Sequence, residues 1–305
     1  MKAIVCTAYG SPDVLKVADL PVPQPKAGEV RIRVTTSTVA AGDLRVRGFN
    51  SPIMLWLPMR LVLGLTRPRK PVLGIELAGV IEAVGPDVTR FAPGDRVFAL
   101  TGLTFGAHAE FVCLSENAMI AKIPPGVSDE AAAALPVGAN SALHFLRKGG
   151  IRSGQKVLIY GASGSVGTFA VQLAKHFGAT VTAVCSTANQ ELVSALGADA
   201  VLDYTREDFS QQSERYDLVF DAVGKASKAD CQRLLAPGGK YITVDGQGIA
   251  KESLENLEFL VDLLAKGQLK AVIDRRYRLE EVPEAHRYVE TGRKRGAVII
   301  QVASA

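Results

Sequence analysis

Short stretches in which polar and apolar residues alternate fill roughly the first 120 positions of the chain. Residues 29–34 read Glu-Val-Arg-Ile-Arg-Val, which is the two-residue period of a half-buried strand. Residues 72–84 are rich in β-branched side chains and end in the turn Gly85-Pro86-Asp87. Because such strands are separated by Gly and Pro, this part of the chain is predicted to form a small β-barrel or sandwich.

The pattern changes after residues 124–126, which read Pro-Pro-Gly. Ser128 precedes Asp129 and Glu130, an arrangement typical of a helix start, where the helix dipole favours acidic residues. Further on, apolar strands are predicted at 157–160, 180–185, 201–204, 218–221, 241–244 and 297–300, and helices at 168–177, 190–196 and 254–266. Strands that alternate with helices predict a parallel sheet covered on both faces, so the fold class is α/β with a β-rich first part.

Composition narrows the class of protein. At about 100–200 residues per domain, 305 residues predict two domains, and a 48% hydrophobic content is enough for a sizeable core. The net charge of +4 is spread along the chain, so we expect no nucleic-acid partner. Four scattered cysteines favour a reducing compartment, and the first residues lack the apolar run of a signal peptide. These features predict a cytoplasmic protein.

One apolar segment, residues 53–65, tests the prediction of a soluble protein. It reads Ile-Met-Leu-Trp-Leu-Pro-Met-Arg-Leu-Val-Leu-Gly-Leu, which is too short for a membrane span of about 20 residues. Two interpretations remain open. The favoured one is a segment that packs on the core or covers a flat acceptor through Trp56, with no membrane contact. The other is an apolar lid that also touches membranes, helped by Arg67, Arg69 and Lys70.

A glycine-rich turn lies between the predicted strand 157–160 and the helix that follows it. It consists of Gly161, Ala162, Ser163, Gly164, Ser165, Val166 and Gly167. Glycine lets a backbone approach a pyrophosphate closely, and the helix N-terminus then points N–H groups at the phosphates. The spacing departs from Gly-x-Gly-x-x-Gly because Ala162 takes the first glycine position, but the strand–turn–helix context favours a dinucleotide site.

The residue that follows the next strand bears on the choice of cofactor. NAD sites usually carry an acidic residue about 20 positions after the glycine turn, where it holds the ribose 2′-hydroxyl. Here Ser186 stands near that position, and no acid appears before Glu191. Since a carboxylate repels a 2′-phosphate and a hydroxyl can donate to it, the sequence favours NADPH. A separate loop, Ala222, Val223 and Gly224, follows a predicted strand at the sheet edge where ligands bind.

Taken together, these segments resemble the medium-chain dehydrogenase/reductase superfamily, and within it the zinc-free quinone oxidoreductase branch. The resemblance is carried by residues 74–85, 91–97, 161–175, 197–204, 208–209, 272–275 and 285–286. It implies a GroES-like β-rich domain at 1–124 and 270–305, and a Rossmann doubly wound parallel sheet domain at 125–269. It further implies that NADPH and substrate meet in a cleft between these domains.

The resemblance also assigns single residues. Ser141 stands where relatives carry a Thr near the nicotinamide, and Tyr204 resembles a tyrosine beside the adenosine 2′-phosphate. The alternative for Tyr204 is a buried strand aromatic. Asp43 is the candidate catalytic residue, and the competing interpretation is a turn aspartate that bonds local backbone. The branch usually has Asn-Pro where this chain has Ala40 and Ala41, so the resemblance implies that a polar group near the substrate is lost here.

Zinc ligands are absent from the corresponding segments. Zinc-dependent relatives place a Cys within the stretch matching residues 39–43 and a His at the position of Ile75, and this chain has neither. Catalytic zinc takes three protein ligands. The region 88–122 holds only Cys113, where a structural zinc lobe carries four cysteines. The histidines His108, His144, His176 and His286 show no metal spacing. We therefore expect no metal site.

The favoured function is an NADPH-dependent reductase of quinones or α,β-unsaturated carbonyls, with a small hydrophobic molecule as substrate. One alternative is a non-catalytic NADPH-binding sensor or interaction module, and another is an enoyl-thioester reductase. Relatives commonly pair subunits through an added strand, for which residues 244–252 leave too little chain. We therefore expect a monomer, or a dimer built through another surface.

Overall fold

In a computed structural model that describes residues 1–50, 56–248 and 250–302, the chain divides into two units. One unit is Met1–Pro136 together with the chain from Ile273, and the other is Val137–Val272. The strands are β1 (Lys2–Cys6), β2 (Leu15–Asp19), β3 (Glu29–Thr38), β4 (Glu76–Val84), β5 (Arg96–Leu100), β6 (Phe111–Ser115), β7 (Met119–Lys122), β8 (Lys156–Tyr160), β9 (Thr180–Cys185), β10 (Ala200–Asp203), β11 (Tyr216–Asp221), β12 (Leu235–Thr243), β13 (Ile273–Arg278) and β14 (Ala297–Gln301). The helices are α1 (Ala41–Gly48), α2 (Trp56–Leu63), α3 (Asp129–Ala133), α4 (Asn140–Gly149), α5 (Ser165–His176), α6 (Gln190–Ala195), α7 (Lys228–Arg233), α8 (Leu254–Ala265) and α9 (Val282–Glu290).

The first unit is built on a seven-stranded sheet in the order β13-β14-β3-β4-β5-β7, with β6 also paired to β3. The alternation in β3 is confirmed, because Val30, Ile32 and Val34 are fully buried while the residues between them are half-buried. β14 pairs antiparallel with β3, with Ile299 opposite Thr38. The end of the chain therefore completes the sheet that the beginning of the chain starts.

The start of α3 is anchored on the β-rich unit. Ser128 accepts a hydrogen bond from the N–H of Ala131 at 3.2 Å, as expected for a helix cap. The carboxylate of Asp129 accepts a hydrogen bond from Thr35 Oγ1 at 2.6 Å and pairs with Arg96. These contacts place α3 with the sheet of the first unit, whereas the sequence places the domain boundary before it, at residue 125.

The second unit contains a five-stranded parallel sheet in the order β10-β9-β8-β11-β12, with helices packed on it. The chain winds outward from β8 to β10 and then restarts beside β8 at β11, so the winding direction reverses between these two central strands. A reversal of this kind opens a crevice at the carboxyl ends of the strands, where ligands of α/β proteins bind. The predicted α/β class, with a β-rich part and a parallel sheet covered by helices, is confirmed.

The edge strand β12 ends the parallel sheet. It contains Pro237, and its pairing with β11 is interrupted between Tyr216 and Leu218. Residues 244–248 and 250–253, which connect it to α8, form no strand. A proline and an irregular pairing both discourage further strand addition at an edge. Among the described helices, none combines the length and the apolar character that a membrane span requires.

Candidate functional site

Most of the predicted cofactor residues lie at the carboxyl edge of the parallel sheet. The glycine-rich turn 161–167 follows β8, and the loop 222–224 follows β11. Ser186 follows β9, and Tyr204 follows β10. Parallel strands end at a common edge, so the fold brings four separated segments of sequence to one line across the sheet.

Two glycines in the turn are required by close contacts. Gly161 has a φ of +73°, and a Cβ placed on it would lie 2.0 Å from Val223 Cγ2. A Cβ on Gly167 would lie 2.2 Å from the carbonyl oxygen of Gly161. Side chains of any size at these positions would collide with the protein itself. Gly161 and Gly167 therefore hold the turn against β11 and α5.

Gly164 differs from its two neighbours. Its φ is −78°, which any residue adopts, and a Cβ on it would meet no protein atom closer than the Gly161 carbonyl oxygen at 3.5 Å. It is the residue immediately before α5, whose first-turn N–H groups and positive dipole end lie beside it. The missing side chain leaves space next to a helix N-terminus, which is the shape that a pyrophosphate requires. These residues fit a dinucleotide cofactor.

A hydrogen-bonded polar chain connects the turn with the end of β9. The side-chain amide nitrogen of Asn189 donates to Ser163 Oγ at 3.0 Å and to Ser186 Oγ at 3.2 Å. Asn189 thus fixes the hydroxyl of Ser186, the residue that is predicted to favour NADPH over NADH. Asn189 was missed because no sequence pattern distinguishes it from other polar residues near a helix start.

The end of β10 adds an aromatic and a basic side chain beside Ser186. Asp203 lies opposite Cys185 in the β9–β10 register, so Tyr204 and Ser186 follow paired residues. Tyr204 is 49% exposed, which argues against the alternative of a buried strand aromatic. The guanidinium of Arg206, which the sequence analysis did not consider, lies 3.8 Å from the buried carboxylate of Asp203. Hydrogen bonds from the Thr187 and Thr205 hydroxyls lower the pKa of Asp203.

The loop 222–224 is held by a buried carboxylate. Asp221 Oδ1 accepts hydrogen bonds from the N–H groups of Val223 at 3.0 Å and Gly224 at 2.8 Å, and its Oδ2 accepts from Ala226 at 2.9 Å. The loop follows β11 without secondary structure of its own, so Asp221 supplies the bonds that a helix or strand would otherwise provide. Asp221 is therefore a positioning residue of this edge.

Ser141 lies in the first turn of α4, where it is half-buried. The turn before α4 passes close to the start of α5, since a Cβ on Gly138 would lie 3.1 Å from the Ser165 carbonyl oxygen. The fold thus brings the segment of Ser141 toward the glycine-rich turn, although the two are more than 20 residues apart in sequence.

Asp43 lies in the other unit, near the start of α1. Its side chain is fully buried, and Oδ2 accepts a hydrogen bond from the N–H of Ala40 at 2.9 Å. Burial raises the pKa of this carboxyl to about 7, against the opposing effects of backbone N–H groups and of Lys294. The hydrogen bond between Asp43 and the Ala40 N–H is the local backbone contact that was expected if Asp43 is not catalytic.

The segment that carries zinc ligands in zinc-dependent relatives is apolar here. Ala40 is buried, and Ile75 packs against a cluster formed by Phe49, Leu63 and Phe105. Within the described residues, no group of three or more His, Cys, Asp or Glu side chains is arranged to hold a metal ion. In the first unit, the position of the missing ligand is therefore occupied by hydrocarbon.

The two-unit architecture and the glycine-rich edge of the parallel sheet are those of a nicotinamide-dependent oxidoreductase whose β-rich unit is GroES-like. Residues 26–125 match the alcohol dehydrogenase GroES-like domain, and residues 165–290 match the family described as zinc-binding dehydrogenase. The chain is 34% identical to a 2-methylene-furan-3-one reductase of Solanum lycopersicum, over 98% of this chain and 79% of the relative.

Two further comparisons agree with this class. An NADPH-dependent alkenal/one oxidoreductase of Arabidopsis thaliana is 31% identical, over 98% of this chain and 79% of the relative. The solved structure of the quinone oxidoreductase from Coxiella burnetii superposes with a TM-score of 0.88 at 28% identity, covering 99% of both chains. The chain belongs to the medium-chain dehydrogenase/reductase superfamily, in its quinone oxidoreductase branch.

The buried carboxyl of Asp43 gives a testable pH dependence. Its pKa rises from 3.8 to about 7 on folding, so its contribution to stability is present while it is protonated and is lost as the pH rises through 7. Asp43→Asn stays neutral and keeps an oxygen that can accept the Ala40 N–H. Between pH 5 and pH 8, the free energy of unfolding of the unmodified protein should fall relative to the variant by roughly 3 kcal/mol. Urea unfolding at both pH values measures this difference, and parallel pH profiles would contradict it.

Proposed function

We propose that the protein is an NADPH-dependent reductase of quinones or α,β-unsaturated carbonyls that acts without zinc. The observation that carries the proposal is the apolar environment of Ile75, at the position where zinc-dependent relatives carry a ligand. Oxidation of a simple alcohol needs a Lewis acid or a positioned general base, because the hydroxyl proton must leave along with the hydride. A conjugated acceptor needs less help, because the negative charge spreads onto an oxygen distant from the carbon that is reduced.

In this proposal the protein binds the cofactor and the acceptor, aligns one against the other and excludes water from them. The bound nicotinamide would supply the hydride chemistry. The turn at Gly164 and the first turn of α5 would hold the pyrophosphate, and the segment of Ser141 would lie near the nicotinamide. Ile75 is half-buried at the edge of its apolar cluster, and we propose that a flat, hydrophobic acceptor would lie against this surface, since the contact displaces water from both.

The preference for NADPH rests on the ends of β9 and β10. Ser186 offers a hydroxyl fixed by Asn189, Tyr204 is half exposed beside it, and Arg206 supplies a cation on the same edge. The carboxylate of Asp203 is buried and already accepts hydrogen bonds from Thr187 and Thr205, and that of Glu207 accepts from the Asp203 N–H. A 2′-phosphate would thus meet donors and positive charge. The name of the Arabidopsis relative, which specifies NADPH, supports the same choice.

The acceptor class draws on the names of the relatives, which mention enone-type and quinone substrates. An enoyl thioester is a related conjugated acceptor and stays an alternative substrate. We further propose that the protein acts in the cytoplasm and that it is a monomer, or a dimer that does not extend the sheet through a strand added after β12.

Gly164→Ala should separate cofactor binding from folding. The added methyl group has space within the protein but occupies the volume proposed for the pyrophosphate. We expect the melting temperature to change by no more than about 2 °C, since a Gly-to-Ala change without strain is nearly neutral or stabilising, and NADPH affinity to fall at least about tenfold. Calorimetry and fluorescence titration measure the two effects.

Gly167→Ala is the matched control, because its methyl group collides with the Gly161 carbonyl oxygen. It should lower the melting temperature itself. If Gly164→Ala left NADPH affinity unchanged, the pyrophosphate would have to lie elsewhere.

Ser186→Asp should reverse the cofactor preference. The new carboxylate repels a 2′-phosphate and can accept from a 2′-hydroxyl, so the ratio of NADPH to NADH affinity should fall at least about tenfold. Ser186→Asn, which keeps a neutral donor, is the control and should change the ratio little. Titration of both proteins with both cofactors measures the effect, and equal affinities in the unmodified protein would refute the preference.

The acceptor and the metal are tested together by steady-state kinetics. With NADPH, we expect turnover of a quinone or an alkenal, none of simple alcohols with NADP⁺, and no loss of rate after treatment with a chelator. Stoichiometric zinc by elemental analysis, with activity lost to the chelator, would overturn the zinc-free mechanism. Tight NADPH binding without turnover of any quinone, enone, alkenal or enoyl thioester would favour a non-catalytic binding module.

A further inference from the structure

The helix α2 exposes an apolar face. Leu57 and Leu61 are 59% and 56% exposed, and Val62 and Leu65 are 55% and 62% exposed. Leu57, Leu61 and Val62 lie on one side of the helix, and Leu65 lies two residues after its end. We call these four residues the outer face. Together with Trp56, they make up half of the large hydrophobic side chains that are exposed in the described chain. Contiguous exposed apolar residues mark an interaction surface more often than single ones do.

The opposite side of α2 is fixed on the protein. The guanidinium of Arg60 lies 4.5 Å, 4.0 Å and 4.9 Å from the ring centres of Tyr9, Phe49 and Trp56. Leu63 is buried against Phe49, and the Tyr9 hydroxyl donates to the Gly64 carbonyl at 2.9 Å. Cation–π contacts and burial hold this side inward. The sequence interpretation of core packing therefore applies to one side of the described helix, and the outer face remains in water.

The chain around α2 is strongly basic. Between Asp43 and Glu76 there is no acidic residue, and the sequence carries five arginines and one lysine. Arg67, Arg69 and Lys70 directly follow the outer face and are exposed, and none of them forms an ion pair within the described chain. The surface thus joins an apolar face to an uncompensated positive charge.

We propose that the outer face of α2 docks on the surface of an anionic phospholipid bilayer. The leucines and Val62 would enter the boundary between headgroups and acyl chains, and Arg67, Arg69 and Lys70 would pair with lipid phosphates and carboxylates. A helix of eight residues buries little area, so binding is reversible and needs both the apolar and the charged part. This inference revises the expectation of no membrane contact, and it does not rest on the proposed enzymatic activity.

Charge favours a lipid surface over a second copy of the chain. In a symmetric dimer through the outer face, the same patch meets itself, so the basic residues of both copies would lie near one another. Like charges brought together in this way oppose association. An anionic bilayer instead neutralises them, which makes it the occupant that the surface fits better.

The single tryptophan of the chain provides a direct measurement. Trp56 contacts Arg60 but is 46% exposed and precedes Leu57 of the outer face, so contact of that face with lipid should remove water from the exposed part of its ring and shift its emission to the blue. We expect this shift, and co-sedimentation, with vesicles of phosphatidylcholine mixed with phosphatidylserine, and neither with phosphatidylcholine alone. Added salt should weaken the binding. Equal binding to both vesicles, or no binding to the mixed ones, would overturn the proposal.

Variants test the two parts separately. Leu57→Ser with Leu61→Ser, and Arg67→Glu with Arg69→Glu, should each lower the vesicle partition coefficient at least about tenfold. Leu103→Ser is the control, because Leu103 is 67% exposed but lies outside α2 and its basic flank. It should bind as the unmodified protein does. Circular dichroism and the melting temperature confirm that each variant is folded.

Two outcomes would contradict the proposal even if vesicles bind. One is an equal loss for Leu103→Ser, which would indicate nonspecific hydrophobic adsorption. The other is a dimer by light scattering that the leucine variants dissociate without any change in vesicle binding, which would make the outer face a subunit interface. Turnover of a water-soluble acceptor is measured without vesicles and does not depend on either outcome. Failure of membrane docking can therefore be distinguished from failure of the proposed enzymatic function.

Discussion

The close approach of two strand ends is the constraint on which the candidate cofactor site depends. β8 and β11 are adjacent and parallel, so the segments that leave them compete for the same space at the carboxyl edge. Gly161 fits against Val223 only because it has no side chain, and Gly167 fits against the Gly161 carbonyl for the same reason. With these two contacts satisfied, the turn leaves Gly164 facing open space at the start of α5. Packing within the protein therefore creates the shape that a ligand can use.

The sequence predicts much of this arrangement because strands, turns and helix starts are encoded locally. The run before Gly161, the cap at Ser128 and the alternation in β3 all appear in the structure where expected. Long-range contacts are a different matter. Asn189 reaches back 26 residues to Ser163, and the β9–β10 register brings Asp203, with Arg206 near its carboxylate, to the edge that carries Ser186. No periodicity encodes such pairs, so the positioning residues were missed while the glycines were found.

Burial is the other property that the sequence does not disclose. Asp43 is enclosed at the start of α1 rather than simply lying in a turn. His108 and His286, distant in sequence, lie with ring centres 6.0 Å apart in the core, and burial lowers the pKa of His108 to about 4. These imidazoles are therefore neutral at physiological pH. Conversely, the apolar residues of α2 read as core in the sequence, yet only the side held by Arg60 is covered. Tertiary packing decides which polar residues are enclosed and which apolar ones are left in water.

The position of β14 has a consequence for the order in which the chain folds during synthesis. β3 is made early, but its neighbour β14 is made only after the whole second unit has been translated. The parallel sheet is continuous in sequence, so it can close while the ribosome is still adding the last residues. On the flank of β3 that β14 joins, β6 can pair with residues 29–33 early, but residues 36–38 lack their partner for more than 250 residues of elongation. At typical elongation rates that interval is on the order of tens of seconds, during which an unpaired strand edge is open to chaperones or to aggregation.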